Sequence, residues 1–109
     1  MDETMQLGGN IELSGFGEVD RSSMIIVKKV VGSFAKKLSG THGEFEKLSV
    51  IMKTVHQDNH QLEFNVTGKF ELHARILQNG KQFSSEVTER NLFVTLDKVL
   101  KKLEHAATH

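Results

Sequence analysis

Histidines beside carboxylates are the side chains here best suited to acid–base or metal chemistry. The chain has six histidines in 109 residues and no cysteine. His56, Asp58 and His60 flank one turn closely enough to share an ion, since imidazole nitrogen and carboxylate oxygen both ligate borderline divalent metals. No further ligand of convincing spacing accompanies them, and the two-histidine helix motif of zinc proteases is absent. That turn therefore reads as solvated. His73 stands two residues from both Glu71 and Arg75, on the polar side of a strand pattern. There an ordinary exposed sheet residue is favoured over a general base. Ser22, Ser23, Ser84 and Ser85 sit in no nucleophile motif, and Gly15 and Gly17 match neither a phosphate loop nor a dinucleotide fingerprint. The chain reads as a non-enzyme with no expected cofactor or metal.

Basic residues are the remaining candidates. Lys and Arg number 14 and so do Asp and Glu, giving a formal net charge of zero and no global pull toward nucleic acid. The distribution is uneven. Asp2, Glu3, Glu12, Glu18 and Asp20 fall in the first twenty residues with no base among them. Arg21, Lys28, Lys29, Lys36 and Lys37 follow in residues 21 to 37 with no acid. A surface of this kind can track phosphates, each contact adding salt-dependent affinity and little sequence choice. Stacking on single-stranded bases is not suggested, because Tyr and Trp are absent and the Phe residues lie mostly on apolar stripes.

The elements that must position these residues follow from apolar spacing. Residues 10 to 14, NIELS, alternate and then meet Gly15 and Gly17, which marks a short first strand. Asp20 is placed to cap a helix over 21 to 38, in which Val27, Val30, Val31, Phe34 and Leu38 recur at helical spacing and Gly40 is the expected stop. With about 100° per residue, Lys29 and Lys36 point away from that stripe and Lys28 and Lys37 flank it. A second strand is predicted within 44 to 56, with Leu48, Val50 and Met52 on one parity. Leu62, Phe64, Val66, Phe70, Leu72, Ala74 and Ile76 then hold a single parity, which reads as one strand bent at Gly68, with two separate strands as the alternative. Asn79-Gly80 is a strong hairpin signal, with Phe83 and Val87 continuing the apolar parity beyond it. Asn91 caps a last helix whose stripe is Leu92, Phe93, Leu96, Val99, Leu100 and Leu103, and Lys98, Lys101 and Lys102 occupy its other side.

One apolar sheet face covered by two amphipathic helices is a two-layer α+β sandwich of order β-α-β-β-β-α. The expectation is a four-stranded mixed sheet with both helices on one face, the first three elements forming a right-handed crossover. Residues 10–105 form the single domain, 1–9 a disordered tail and 106–109 a frayed end. A hydrophobic fraction of 38% is adequate for one core. No stretch approaches the roughly 20 apolar residues of a membrane span. The opening MDETMQLGG is acidic and unlike a secretory signal, which with the lack of cysteine favours the cytoplasm.

Three strings and the order of elements resemble the short hibernation promoting factor and ribosome-associated inhibitor family. IELSG (11 to 15) is similar to that family's first strand with its closing Ser/Thr-Gly, and KKL (36 to 38) to the end of its first helix. NLFVTLDKVLKKLE (91 to 104) resembles its last helix: Asn91, Leu92, Phe93, Leu96, Asp97 and Lys102-Leu103-Glu104 fall at the family's characteristic places, with Phe93 where a tyrosine is usual. The resemblance implies a ribosome-associated, translation-inhibiting stress protein that binds the small ribosomal subunit near its decoding region. Lys28, Lys29, Lys36, Lys37, Lys98, Lys101 and Lys102 would then face ribosomal RNA. The alternative is a protein-interaction module of the same fold, monomer or homodimer, that uses an exposed sheet face or edge.

The hairpin reading is testable by stability. A type I′ turn needs positive φ at both central residues, and a β-branched side chain resists it. Gly80→Val is therefore expected to lower the denaturation midpoint clearly, and an unchanged midpoint would exclude that turn.

Overall fold

Alternation of apolar and polar residues builds the sheet of the computed structural model, which describes residues 4–54 and 69–108. The elements are β1 (Thr4–Gln6), β2 (Ile11–Ser14), α1 (Arg21–His42), β3 (Lys47–Thr54), β4 (Phe70–Gln78), β5 (Lys81–Glu89) and α2 (Leu92–Ala107). They form an α+β fold with one five-stranded mixed sheet in the order β1-β2-β3-β4-β5. β2 and β3 are parallel and joined through α1, while the other neighbours are antiparallel.

One parity of each strand is apolar and faces the helices. Ile11 and Leu13, Leu48, Val50 and Met52, and Phe70, Leu72, Ala74 and Ile76 are all buried in a single core. Register aligns them in rows, so that Leu13, Val50, Ala74 and Ser85 lie side by side across four strands. Ala74 and Ser85 are small, and α2 lies over them closely enough for the Ser85 hydroxyl to donate to the Val99 carbonyl at 2.8 Å. Val27, Val31, Ala35 and Leu38 of α1, and Leu92, Leu96, Val99, Leu100 and Leu103 of α2, complete the core.

Caps explain where the helices begin. The Asp20 carboxylate accepts from the Ser23 amide at 3.1 Å, and the Asn91 side chain accepts from the Val94 amide at 3.0 Å. Each satisfies a first-turn N–H that has no partner within the helix. α1 passes the expected stop at Gly40, which is exposed and spaced for a helix, and ends instead at Gly43 with φ 93°, whose amide reaches the Ser39 carbonyl at 3.2 Å. Positive φ, which glycine adopts without strain, decides the terminus. The buried Gln78 amide then holds the loop into β3, donating to the carbonyls of His42, Gly43 and Glu44 at 3.1, 3.1 and 3.2 Å.

Two further differences from the sequence reading stand out. The sheet has five strands rather than four, because Thr4–Gln6, within the stretch expected to be a tail, pairs with β2 and sets Met5 beside Leu13. Three residues are too short for a periodicity signal; the ladder to β2 and the packing of Met5 on the core supply what propensity does not. The second strand of the sequence reading starts at Lys47, not near 44, since Gly43 to Glu46 are used to turn out of α1. The apolar parity of β4 is as expected from Phe70 onward, whereas Leu62, Phe64, Val66 and the bend at Gly68 lie outside the described residues. Asn79 and Gly80 take φ 54° and 77°, the paired positive values of a type I′ turn.

Leu96 is fully buried at the centre of the α2 stripe. Leu96→Ala is expected to remove about 2–5 kcal/mol of stability in chemical denaturation. The Asp20 carboxyl is held below its ordinary value chiefly by hydrogen bonding from Ser23, and that of Glu12 by hydrogen bonding from Lys47 and then Gln6. A carboxyl whose folded value is depressed contributes stability that is present above its unfolded value and lost as pH falls through the folded one. The thermal midpoint should therefore fall as pH drops below about 4. Asp20→Asn keeps a capping oxygen without a titrating proton, so its midpoint should fall less steeply over that range.

Candidate nucleic-acid interface

The long amphipathic helix α1 turns its apolar stripe to the sheet and leaves its bases in water. Lys28, Lys29, Lys36 and Lys37 are all exposed, with Lys29 and Lys36 nearly opposite the buried stripe. Lys37 projects toward α2, where its Nζ lies 3.9 Å from a Glu104 oxygen, and His42 Nε2 lies 3.6 Å from the other oxygen of that carboxylate. These contacts join the last turns of both helices, so α1 and α2 run parallel. Among the described residues, no acidic group lies within ion-pair distance of Lys28, Lys29 or Lys36, a set that the absence of acids from residues 21 to 37 foreshadows.

The lysines of α2 are exposed too, but their head groups are engaged. Lys98 pairs with Glu89 of β5 at 2.9 Å, Lys101 with Asp97 one turn back at 3.2 Å, and Lys102 donates to the Glu86 carbonyl at 3.1 Å. Lys98 and Lys102 thus point toward the β5 edge, away from α1. Both are separated in this way from the exposed lysines of α1. The exposed ion pairs of Lys98 and Lys101 are weak in stability terms, yet each must be broken or shared before the lysine meets a phosphate.

The outer face of α1 also carries apolar groups that sequence spacing could have revealed. Ile25 and Ile26 are 62% and 45% exposed, one turn before Lys29, and Val94 on α2 is 43% exposed. Met24 to Val27 are four consecutive apolar residues, and with about 100° between neighbours they cannot all face the core. Met24 and Val27 take the buried positions.

The histidine and serine candidates fall differently. His73 is half-buried on the open face of the sheet, its Nε2 at 2.6 Å from Glu71 Oε2 and its Nδ1 at 3.5 Å from Glu86 Oε1. Ser23 is buried in the first turn of α1 behind the Asp20 cap, and Ser85 is bonded to α2, so both are structural. Ser22 and Ser84 are exposed. Gly15 takes φ 81° and passes so close to the Met52 carbonyl oxygen that a Cβ would collide with it, which accounts for that glycine by packing. His56, Asp58 and His60 lie outside the described residues.

No family model matches this chain, and no curated protein matches it. Among the described residues no helix is long and apolar enough to cross a membrane.

Proposed function

We propose that this protein binds structured RNA, with ribosomal RNA of the small subunit as the target class, and that it acts by occupying a site rather than by catalysis. The observation that carries the reading is the outer face of α1: Lys28, Lys29 and Lys36 are exposed and uncompensated among the described residues, on a rigid helix braced by the core. Spacing along a helix presents such charges at intervals suited to successive phosphates, which reward position and charge rather than base identity. Zero net charge leaves this face, not the whole molecule, as the source of attraction. The resemblance of IELSG, KKL and NLFVTLDKVLKKLE to the short hibernation factors adds the ribosome as the specific partner, translation inhibition under stress as the outcome and the cytoplasm as the place. Lys37, Lys98 and Lys101 can add to the contact by releasing the carboxylates that now hold them, and Lys102 by leaving the Glu86 backbone carbonyl.

A second reading, a protein-docking module, draws support from Ile25 and Ile26, which stand exposed on the same face. Apolar contacts there are insensitive to salt, whereas phosphate contacts are not.

The two are separated by measuring ribosome or structured-RNA binding at low and high salt. The quadruple change of Lys28, Lys29, Lys36 and Lys37 to Gln should leave the fold intact, because all four are exposed and Gln is a comparable helix former. It is expected to reduce the slope of log affinity against log salt by about 0.7 to 0.9 for each phosphate contact removed. Equal binding by wild type and variant, or none by either, overturns the RNA reading. Loss of binding in Ile25→Asn/Ile26→Asn with the lysine variant unaffected supports the docking module instead.

A further inference from the structure

The open face of the sheet carries a group of side chains that RNA binding by α1 does not use. Glu71 and His73 lie two residues apart on β4 and so share a face, and register sets Glu86 of β5 directly opposite His73. The two-residue hairpin closes on the pair Gln78 and Lys81, so hydrogen-bonded pairs recur at every second position and His73–Glu86 is a non-hydrogen-bonded pair. Such pairs bring opposing side chains closest together. The ligand atoms of Glu71, His73 and Glu86 all lie within 4.8 Å of one another. Side-chain exposure is 19% for His73, 31% for Glu71 and 67% for Glu86, so the group opens to solvent on the Glu86 side.

The 2.6 Å separation between Nε2 and the Glu71 oxygen is a short hydrogen bond. With Glu71 ionised, the carboxylate accepts and Nε2–H donates. In the neutral imidazole Nδ1 then carries only a lone pair, and it faces a Glu86 oxygen at 3.5 Å. Two acceptors facing each other call for a cation between them. A second proton is one answer. A metal ion is the other, for ligand atoms about 2.0–2.2 Å from a tetrahedral ion stand roughly 3.3–3.5 Å apart, the spacing seen here. Glu71 meanwhile occupies the place of the carboxylate that orients a metal-bound histidine through its other nitrogen.

We propose that His73 Nδ1 and Glu86 bind a divalent transition-metal ion of the zinc class, with Glu71 as the positioning residue and water completing the shell. The imidazole donor selects against Mg²⁺ and Ca²⁺, which take oxygen ligands. The ion takes the Nδ1 lone pair and leaves the Nε2 contact to Glu71 in place. The charged neighbours are balanced. Arg75 follows His73 on β4, Lys53 of β3 lies opposite Glu71, and Lys102 of α2 bonds the Glu86 carbonyl, so the carboxylates are not left to repel each other unopposed.

The test is a ZnCl₂ titration of the full chain followed by ring ¹⁵N and ¹H resonances of His73, with His56→Gln/His60→Gln as background to remove the other close histidine pair. Saturable shifts of the His73 ring are expected, with the proton remaining on Nε2. Glu86→Gln, at an exposed side chain, should weaken binding by about tenfold or more, and His73→Gln should abolish it. Glu71→Gln should weaken it by about 10- to 100-fold and shift the tautomer balance of the free ring, which a merely structural residue would not do. MgCl₂ should leave the ring unchanged. Ring signals indifferent to zinc, equal affinity in Glu86→Gln, or an equal response to magnesium would overturn the proposal.

Discussion

A sheet with one apolar face has to be covered on that face and no other, and the rest of the molecule follows from this. Leu13, Val50, Leu72 and Ile76 are fully buried on one parity, while the polar parity of the same strands stays in water. Two helices of ordinary width are enough to cover the apolar face of this five-stranded sheet, and each must turn its own stripe inward. Everything charged is thereby pushed outward, into two separate compartments. The helical layer receives the lysines, and the open sheet face receives Glu71, His73, Arg75 and Glu86. That separation explains how a chain with no net charge can present a cationic helix face on one side and a mixed acid–histidine group on the other.

What the sequence made legible is what repeats. The stripe of α2, the parity of β4, the two caps and the Asn79-Gly80 turn each rest on several residues that agree with one another, and the chain folds as they dictate. What it concealed is what depends on tertiary pairing. β1 forms a three-residue ladder with β2, Thr4 to Ser14, Met5 to Leu13 and Gln6 to Glu12, and no pattern in three residues announces it. The end of α1 at Gly43 rather than Gly40 goes with a tertiary contact, for the Gln78 amide, on a strand far along the chain, holds the carbonyls of His42, Gly43 and Glu44. Of the candidate site, the exposure of all seven lysines followed from helical phase. Which of them are already paired did not, because Glu86, Glu89 and Glu104 reach them only through tertiary packing.

The pairing has a functional side. A lysine that must first leave Glu89 or Asp97 meets a phosphate by exchanging one anion for another, so its gain is smaller than that of a lysine held only by water. The face of α1 is the side on which this exchange is least required. The α2 lysines have a second role, since Lys102 occupies a backbone carbonyl on the outer edge of β5 and places a charge over the long strand that another chain would otherwise extend.

Strand order in the sheet is the order of the chain, β1 to β5 without a skip, and this sets a hierarchy of loop closures. β4 and β5 are joined by two residues, and α2 packs back on both directly afterwards. That unit needs only short loops to close, with little entropy lost before contacts form. The parallel pair is different: Ile11 meets Leu48 only after the whole of α1 has been laid across the sheet. The carboxy-terminal hairpin and helix are therefore expected to form first, with β2 docking later through its crossover. Changes in the hairpin should accordingly act on the rate of folding, and changes at the β2–β3 seam on the rate of unfolding.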